Sequence, residues 1–165
     1  MSTERGIALV GAGVIGRHHA QVISQLAGRV RLVAVADTDL ERASALSPSS
    51  PAFDSLGAAL AAVGEQIDIV AVCTPTGHHG SVAIEALAAG RHVIIEKPAE
   101  ITVARTDEII EAQRKAGTVV TVISQHRFDE STETTLGAIE RGDLGRLTSG
   151  IASIDASGIE AAMAL

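Results

Sequence analysis

The sequence predicts an α/β fold in which a doubly wound parallel sheet is covered by helices on both faces. Three observations lead to this class. Continuous apolar runs, which are typical of strands buried on both faces, recur along the chain. Amphipathic segments with helical spacing alternate with these runs. The first apolar run ends in clustered glycines that lead directly into a helical segment.

Each apolar run is followed by a helical segment in chain order. Strands are predicted at 6–13, 30–37, 67–75, 92–96 and 118–124, and helices at 14–27, 38–46, 55–63, 79–90 and 102–117. Three helices follow side chains that can cap an N-terminus, namely Thr38 or Asp39, Ser55 and Thr102. Gly90 and Gly117 are predicted to end helices in the left-handed conformation.

The chain is predicted to divide after residue 124. Residues 1–124 hold all five of these strands and form the expected dinucleotide-binding domain. Residues 125–165 hold a predicted helix at 131–142 and a strand-like run at 146–154. We expect this second part to be a linker and the truncated start of another domain.

Composition and charge narrow the classes of function. The net charge of −7 argues against nucleic acid or an anionic membrane as a partner. The single cysteine excludes an intrachain disulfide and favours a reducing, cytoplasmic setting. No apolar run approaches the roughly 20 residues of a membrane span, and no secretory signal is expected. Because the chain has two Phe and no Trp or Tyr, its core is predicted to be aliphatic.

The segment GAGVIG, residues 11–16, lies between the first strand and the first helix, which predicts a Rossmann-type dinucleotide site. Gly11 would form the tight turn, Gly13 would let a pyrophosphate approach the backbone, and Gly16 would allow close packing. The helix N-terminus offers free N–H groups and partial positive charge. We therefore predict that Gly11, Gly13, Val14, Ile15 and Gly16 bind the cofactor.

Asp37 ends the second strand, 21 positions after Gly16, near the spacing of a ribose-binding acid. Its carboxylate would accept hydrogen bonds from the adenosine ribose and repel a 2′-phosphate. Thr38 follows it rather than an arginine, so NAD is the predicted cofactor and NADP is less favoured. Two alternatives stay open: an S-adenosylmethionine site, whose loops are also glycine-rich, and plain turns beside a surface acid.

The segment HVIIEKPAE, residues 92–100, places a lysine at the end of a predicted strand. Neighbouring side chains of a strand point to opposite faces, so Glu96 and Lys97 are not expected to pair. Ligands bind at the carboxyl ends of strands in open parallel sheets, which favours proton exchange between Lys97 and a substrate hydroxyl. The plainer interpretation is a solvated lysine. A cis Lys97–Pro98 bond is also predicted.

Several motifs together resemble one protein family. GAGVIGRHHA, AVADTD, CTPTGHH, AIEALAAGRHVIIEKPAEIT and QHRF occur in the order and at the intervals of the Gfo/Idh/MocA family, named for glucose–fructose oxidoreductase, inositol dehydrogenase and rhizopine catabolism. The resemblance covers roughly residues 5–150. It implies that Lys97 is the catalytic lysine and also contributes to the cofactor site, and that Glu96 binds the cofactor ribose.

The same resemblance assigns further residues to the cofactor. Thr74, Pro75 and His79 would line the nucleotide cleft, and Gln125 and Arg127 match the segment that passes beside the nicotinamide. Members of the family oxidise or reduce a hydroxyl-bearing carbon on a sugar, a polyol or a sugar nucleotide. The resemblance therefore implies an NAD(P)-dependent oxidoreductase that acts by hydride transfer.

The resemblance also implies a second domain that this chain lacks. Complete members carry there a catalytic His and Asp and, usually, the oligomer interface, whereas this chain has no histidine after His126. The alternative function is thus a truncated nucleotide-binding module without turnover of its own. Self-association is a further possibility, for which the apolar segment 159–165 is a candidate.

Metal binding is not predicted. The doublets His18-His19 and His78-His79 are the obvious candidates. Adjacent side chains on a helix diverge by about 100°, however, and the doublets lack the i, i+4 spacing of a zinc-binding helix.

Overall fold

The computed structural model describes residues 4–151, and within them it shows one parallel sheet of six strands in the order β3-β2-β1-β4-β5-β6. The strands are β1 Arg5–Val10, β2 Val30–Ala36, β3 Ala52–Phe53, β4 Ile69–Val72, β5 His92–Ile95 and β6 Val120–Val122. All neighbouring pairs are parallel. This is the strand order of the Rossmann fold. The predicted doubly wound parallel sheet is confirmed.

The described residues form six α-helices. They are α1 Val14–Gln25, α2 Leu40–Leu46, α3 Leu56–Val63, α4 His79–Ala88, α5 Val103–Ala116 and α6 Glu130–Glu140. The predicted N-caps are confirmed, since Asp39, Ser55 and Thr102 each accept a hydrogen bond from an N–H in the first turn. Gly90 and Gly117 both have positive φ where α4 and α5 end, as predicted.

The core lies on both faces of the sheet. In β1, Ile7 and Leu9 pack toward α1 and α2, whereas Ala8 and Val10 pack into the cluster that includes α3, α4 and α5. Alternating side chains of one strand therefore feed two separate cores, which explains why the strands read as continuous apolar runs. Every buried apolar residue within 4–151 is Ala, Val, Ile or Leu, so the predicted aliphatic core is confirmed for that part of the chain.

The chain divides after Ser124 into two units. In the second unit, the described residues form a short 3-10 helix, Gln125–Phe128, and then α6. The predicted strand-like run is wrong for residues 146–151, which are exposed and pair with no strand among the described residues. Without a partner, the backbone N–H and C=O groups of an extended segment stay in water. The rest of that run, and the candidate segment for self-association at 159–165, lie outside the described residues.

Several short elements have no signal in the sequence. β3 has two residues, and 3-10 turns occur at Gly64–Gln66 and Thr76–His78. Elements of two or three residues have too few positions for an apolar period to show. None of the helices in residues 4–151 has the length and apolar character needed to cross a membrane.

Candidate functional site

The predicted site residues of the first unit lie at the carboxyl edge of the sheet. The glycine loop follows β1, and Thr74 and Pro75 follow the neighbouring β4. The chain leaves β1 toward β2 on one side, while β4 lies on the other side, so the strand order reverses here. In open α/β sheets the crevice at such a reversal is where ligands bind.

Two glycines of the loop are required by close packing. Gly11 has a φ of 100°, and a Cβ on it would lie 2.5 Å from the Cys73 carbonyl oxygen and 2.8 Å from the Thr74 nitrogen. A Cβ on Gly16 would overlap the carbonyl oxygen of Gly11. These contacts press the loop against the end of β4 and against the start of α1, so any side chain at either position would push the two apart.

The third glycine of the loop faces open space. A Cβ on Gly13 would meet no atom within 4 Å, and no side chain caps the N-terminus of α1 that follows. The helical hydrogen bonds begin with the Arg17 N–H and the Gly13 carbonyl, which leaves the preceding N–H groups free of helical partners. Val14 and Ile15 are exposed there, by 72% and 45%. This end of α1 can therefore receive an anionic group.

Asp37 joins the second strand to the glycine loop. One oxygen of its carboxylate accepts a hydrogen bond from the Ala12 N–H at 2.7 Å, and the other accepts from the Asp39 N–H at 2.9 Å. The side chain is half-buried. A carboxylate has about four lone-pair positions, so these two bonds leave acceptor capacity for ribose hydroxyls.

Glu96 anchors the segment after β5 to α1. Its Oε1 lies 2.7 Å from Nε2 of His19, and both side chains are mostly buried. Its Oε2 accepts a hydrogen bond from the backbone N–H of Lys97 at 3.1 Å. The carboxylate contacts the lysine through the backbone rather than through the ammonium group, in keeping with the expectation that the two side chains do not pair.

Lys97 is exposed at the carboxyl end of β5. Within residues 4–151, no hydrogen bond or ion pair engages its ammonium group, whereas the residues on both sides of it are fixed. The Lys97–Pro98 peptide bond is cis, which confirms that prediction.

His79 is the buried member of the three residues that the resemblance assigns to the nucleotide cleft. Its side chain is at the start of α4 and is 1% exposed. Nδ1 lies 2.8 Å from the carbonyl oxygen of Pro98, and Nε2 lies 2.8 Å from that of Thr74. Both ring nitrogens thus face backbone carbonyls, and the residue links the turn after β4 to the turn after β5.

Cys73 lies where the glycine loop meets the end of β4. Burial raises the pKa of its thiol to about 12, and the nearby charge of Glu96 adds to this effect. A thiol held in its neutral form is a poor nucleophile, so Cys73 serves as a small packing group.

The second unit carries the remaining predicted cofactor-binding residues. Gln125 and Arg127 lie in its 3-10 helix, and both are exposed. In the described residues, no cluster of three or more His, Cys, Asp or Glu side chains could hold a metal ion.

The comparison with protein families decides the class. The sequence model of an oxidoreductase family with an NAD-binding Rossmann fold, GFO_IDH_MocA, matches residues 5–124. The chain belongs to the Gfo/Idh/MocA family. The predicted family is therefore confirmed, and the predicted cofactor, NAD, is the one in the family's description.

Individual relatives agree with this assignment. The chain is 34% identical over 145 residues to D-glucoside 3-dehydrogenase of Escherichia coli and 33% identical over 148 residues to inositol 2-dehydrogenase of Rhodococcus erythropolis. These matches cover 86% and 85% of this chain but 40% and 41% of the relatives. The chain thus spans less than half the length of either relative.

A solved structure gives the same result for the fold. The WlbA dehydrogenase of Bordetella pertussis, in complex with NADH and UDP-GlcNAcA, superposes with a TM-score of 0.81 at 34% identity. The superposition covers 87% of this chain and 44% of the other.

The residues of the first unit fit a dinucleotide on three observations. Gly13 faces open space, the N-terminus of α1 has no side-chain cap, and the buried Oγ1 of Thr74 has no hydrogen-bond partner among the described residues. Each offers space or hydrogen-bonding capacity to a polar ligand at the carboxyl edge. Sequence reasoning missed that His19 holds Glu96, because 77 positions separate the two and no local pattern joins them.

Proposed function

We propose that this chain is the cofactor-binding part of an NAD-dependent oxidoreductase that acts on a hydroxyl-bearing carbon of a sugar, a polyol or a related compound by hydride transfer. The observation that carries the proposal is the setting of Lys97. Glu96 is held by His19 and Pro98 is held by His79, while the lysine between them is exposed and engages no described side chain. A lysine with fixed backbone and free ammonium group suits proton exchange with a bound substrate.

The proposed cofactor contacts come from four turns at the same edge of the sheet. The loop of Gly11, Gly13, Val14, Ile15 and Gly16 would hold the pyrophosphate, and Asp37 would hold the adenosine ribose. Glu96 and the Thr74–Pro75 turn would border the other half of the dinucleotide. The proposal extends to Gln125 and Arg127 through the family resemblance only.

Each side chain has a stated chemical task in the proposed reaction. When bound, NAD supplies the hydride acceptor in one direction and, as NADH, the hydride donor in the other. In its neutral amine form, Lys97 takes the proton from the substrate hydroxyl as the carbon is oxidised, and in its ammonium form it returns that proton in reduction. Asp37 and the free N–H groups of α1 fix the position of the dinucleotide, because they bind the adenosine ribose and the pyrophosphate, which do not react.

Two features around Asp37 favour NAD over NADP. The half-buried carboxylate of Asp37 would repel a 2′-phosphate at the position of the ribose hydroxyl. Arg42, the arginine on α2, does not offset this repulsion, because its guanidinium is paired with Asp39 at 3.0 Å. A phosphate bound there would meet two carboxylates and one arginine that is already engaged.

A second candidate is a nucleotide-binding module without turnover of its own. The matched relatives have more than half of their length outside the region that this chain matches. In the family resemblance, that region of the relatives carries the partner groups of the catalytic lysine and the substrate wall. Self-association through residues 159–165 belongs to the same proposal, because a second copy could supply contacts that one copy lacks.

One experiment separates the two candidates. The purified chain is incubated with NAD and a panel of polyols and sugars, and the absorbance of NADH is followed. A dehydrogenase produces NADH with at least one compound, and Lys97→Met abolishes this production while the chain still binds NADH. The control is Lys115→Met, which changes the other lysine of the chain, an exposed residue on α5.

The outcomes are distinct. NADH binding without turnover supports the module, and turnover that survives Lys97→Met contradicts the role of the lysine. A chain that binds no NADH contradicts both candidates.

A further inference from the structure

The imidazole of His79 faces two groups of the same kind. Both neighbours of its ring nitrogens, the Pro98 and Thr74 oxygens, are backbone carbonyls, each at 2.8 Å. A carbonyl oxygen accepts hydrogen bonds and donates none. A neutral imidazole has a single N–H and can satisfy one of these carbonyls, whereas its other nitrogen would present a lone pair to the second. An imidazolium donates to both.

A charge with 1% exposure needs a neighbouring charge of opposite sign, because water cannot reach it. Glu100 supplies one, since its side chain is buried beside the same helix terminus. Its Oε2 accepts from the Ile101 N–H at 2.6 Å and its Oε1 accepts from the Gly80 N–H at 3.2 Å. The Ile101 and Gly80 bonds, followed by the charges of Arg105 and His79, lower the pKa of the Glu100 carboxyl. It is therefore ionised at neutral pH.

The other charged side chains near His79 and Glu100 are exposed to water. Arg105 reaches Glu100 at 3.5 Å from α5, and its side chain is half exposed to water. Glu108, also on α5, lines a small cleft together with Glu100 and Arg105, and it is exposed. His78 precedes the helix and is exposed. Glu100 is thus a buried negative charge that acts on both Arg105 and His79.

We propose that His79 is a positioning residue that keeps both ring protons beside Glu100, and that it ties the Thr74 turn to the Lys97–Pro98 turn by donating two hydrogen bonds. The part of this inference that concerns Lys97 rests on the proposed function. The inference that the His79 ring carries two protons does not rest on the proposed function, because it follows from the two carbonyls and the buried carboxylate.

Nitrogen NMR of the imidazole rings tests the proton count directly. In the wild-type chain at pH 7, both ring nitrogens of His79 should give signals of the protonated type, and both N–H protons should exchange slowly with water. The signals are assigned by their loss in His79→Gln. A ring with one protonated nitrogen at pH 7 would overturn the proposal, whether or not the chain binds a cofactor.

The positioning role has its own readout. His79→Gln, whose amide can donate to one carbonyl but carries an acceptor toward the other, should shift the backbone amide resonance of Lys97. His78→Gln, the exposed neighbour, should leave that resonance in place. An unchanged Lys97 resonance in a folded His79→Gln chain would contradict the link between the two turns.

Cofactor affinity gives the functional readout. NADH should bind His79→Gln about tenfold more weakly than it binds the wild type, the effect of one lost hydrogen bond. His78→Gln should keep the wild-type affinity. An unchanged affinity in a folded His79→Gln chain would overturn the positioning role. Loss of NADH binding in the wild type would count against the proposed function, while the two NMR measurements still decide the proposal.

Discussion

The carboxyl edge of the sheet has two halves that are built by different kinds of contact. The glycine half consists of Gly11, Gly13, Gly16 and Asp37, which follow β1 and β2. It is held by backbone that approaches backbone, as Gly11 does at Cys73, and by a carboxylate that accepts backbone N–H groups. In this half, the absence of side chains is what lets the parts come together.

The lysine half consists of Thr74, His79, Glu96, Lys97 and Glu100, around the turns after β4 and β5. It is held by buried polar side chains that reach across the fold. Such contacts depend on the protonation of each partner, whereas steric fit does not. The glycine half is therefore destabilised when a side chain is added to a glycine. The lysine half is destabilised when one of its polar side chains gains or loses a proton.

The strongest test of this contrast is Gly11→Ala. At a φ of 100° an alanine is strained, and its Cβ would overlap the carbonyl of Cys73. We expect a loss of about 3 kcal/mol or more in the free energy of unfolding, measured by urea titration.

The matched control for that change is Gly13→Ala in the same loop. Its Cβ meets no atom within 4 Å, so the free energy of unfolding should change by less than about 1 kcal/mol. NADH binding should nevertheless weaken, because the new methyl group occupies the space assigned to the pyrophosphate. Equal destabilisation by the two variants would contradict the steric account of the glycine half.

A smaller effect, confined to acid, is expected in the lysine half. The pKa of Glu100 is lowered in the folded chain, chiefly by the Ile101 N–H. A lowered pKa gives stability that is present above the ordinary Glu value of about 4.3 and is lost as the pH falls through the folded-state value. Glu100→Gln should therefore destabilise the chain at pH 7 and progressively less below pH about 4.

Urea titrations from neutral to acidic pH measure this effect. The control is Glu108→Gln, an exposed acid on α5, which should follow the wild-type curve. A difference between Glu100→Gln and wild type that stays constant down to low pH would show that the carboxylate contributes no charge-dependent stability.

The smallest effect is expected at Cys73, between the two halves. Its raised folded-state pKa of about 12 gives stability that is full below the ordinary thiol value and is lost as the pH rises toward 12. At pH 10 this loss amounts to about 1 to 2 kcal/mol. Cys73→Ala should remove that alkaline component, as measured by unfolding at pH 7 and pH 10. An unchanged pH dependence would mean that the thiol is accessible to water.

The glycine half could be predicted from the sequence because its causes are local. Three glycines between a strand and a helix, and an acid at the end of the next strand, are close enough along the chain to form a pattern. The position of Lys97 and its cis bond to Pro98 could also be predicted, because Lys97 follows a strand and precedes a proline.

The contacts of the lysine half could not be predicted in this way. His19 meets Glu96 across 77 positions, and His79 meets the carbonyl of Pro98 across 19. Only the folded sheet brings such residues together, because their separations match no helical or strand period. The resemblance assigns His79 to the cleft, whereas its burial and its two backbone contacts follow only from the fold.

A titration of the purified chain with NADH and with NADPH tests the central claim most directly, which is that the carboxyl edge binds an adenine dinucleotide through the glycine loop and Asp37. We predict saturable binding of NADH, binding of NADPH that is weaker by about tenfold or more, and a narrower gap between the two in Asp37→Ala. Absence of saturable NADH binding, or equal binding of both dinucleotides by the wild type, would contradict the account.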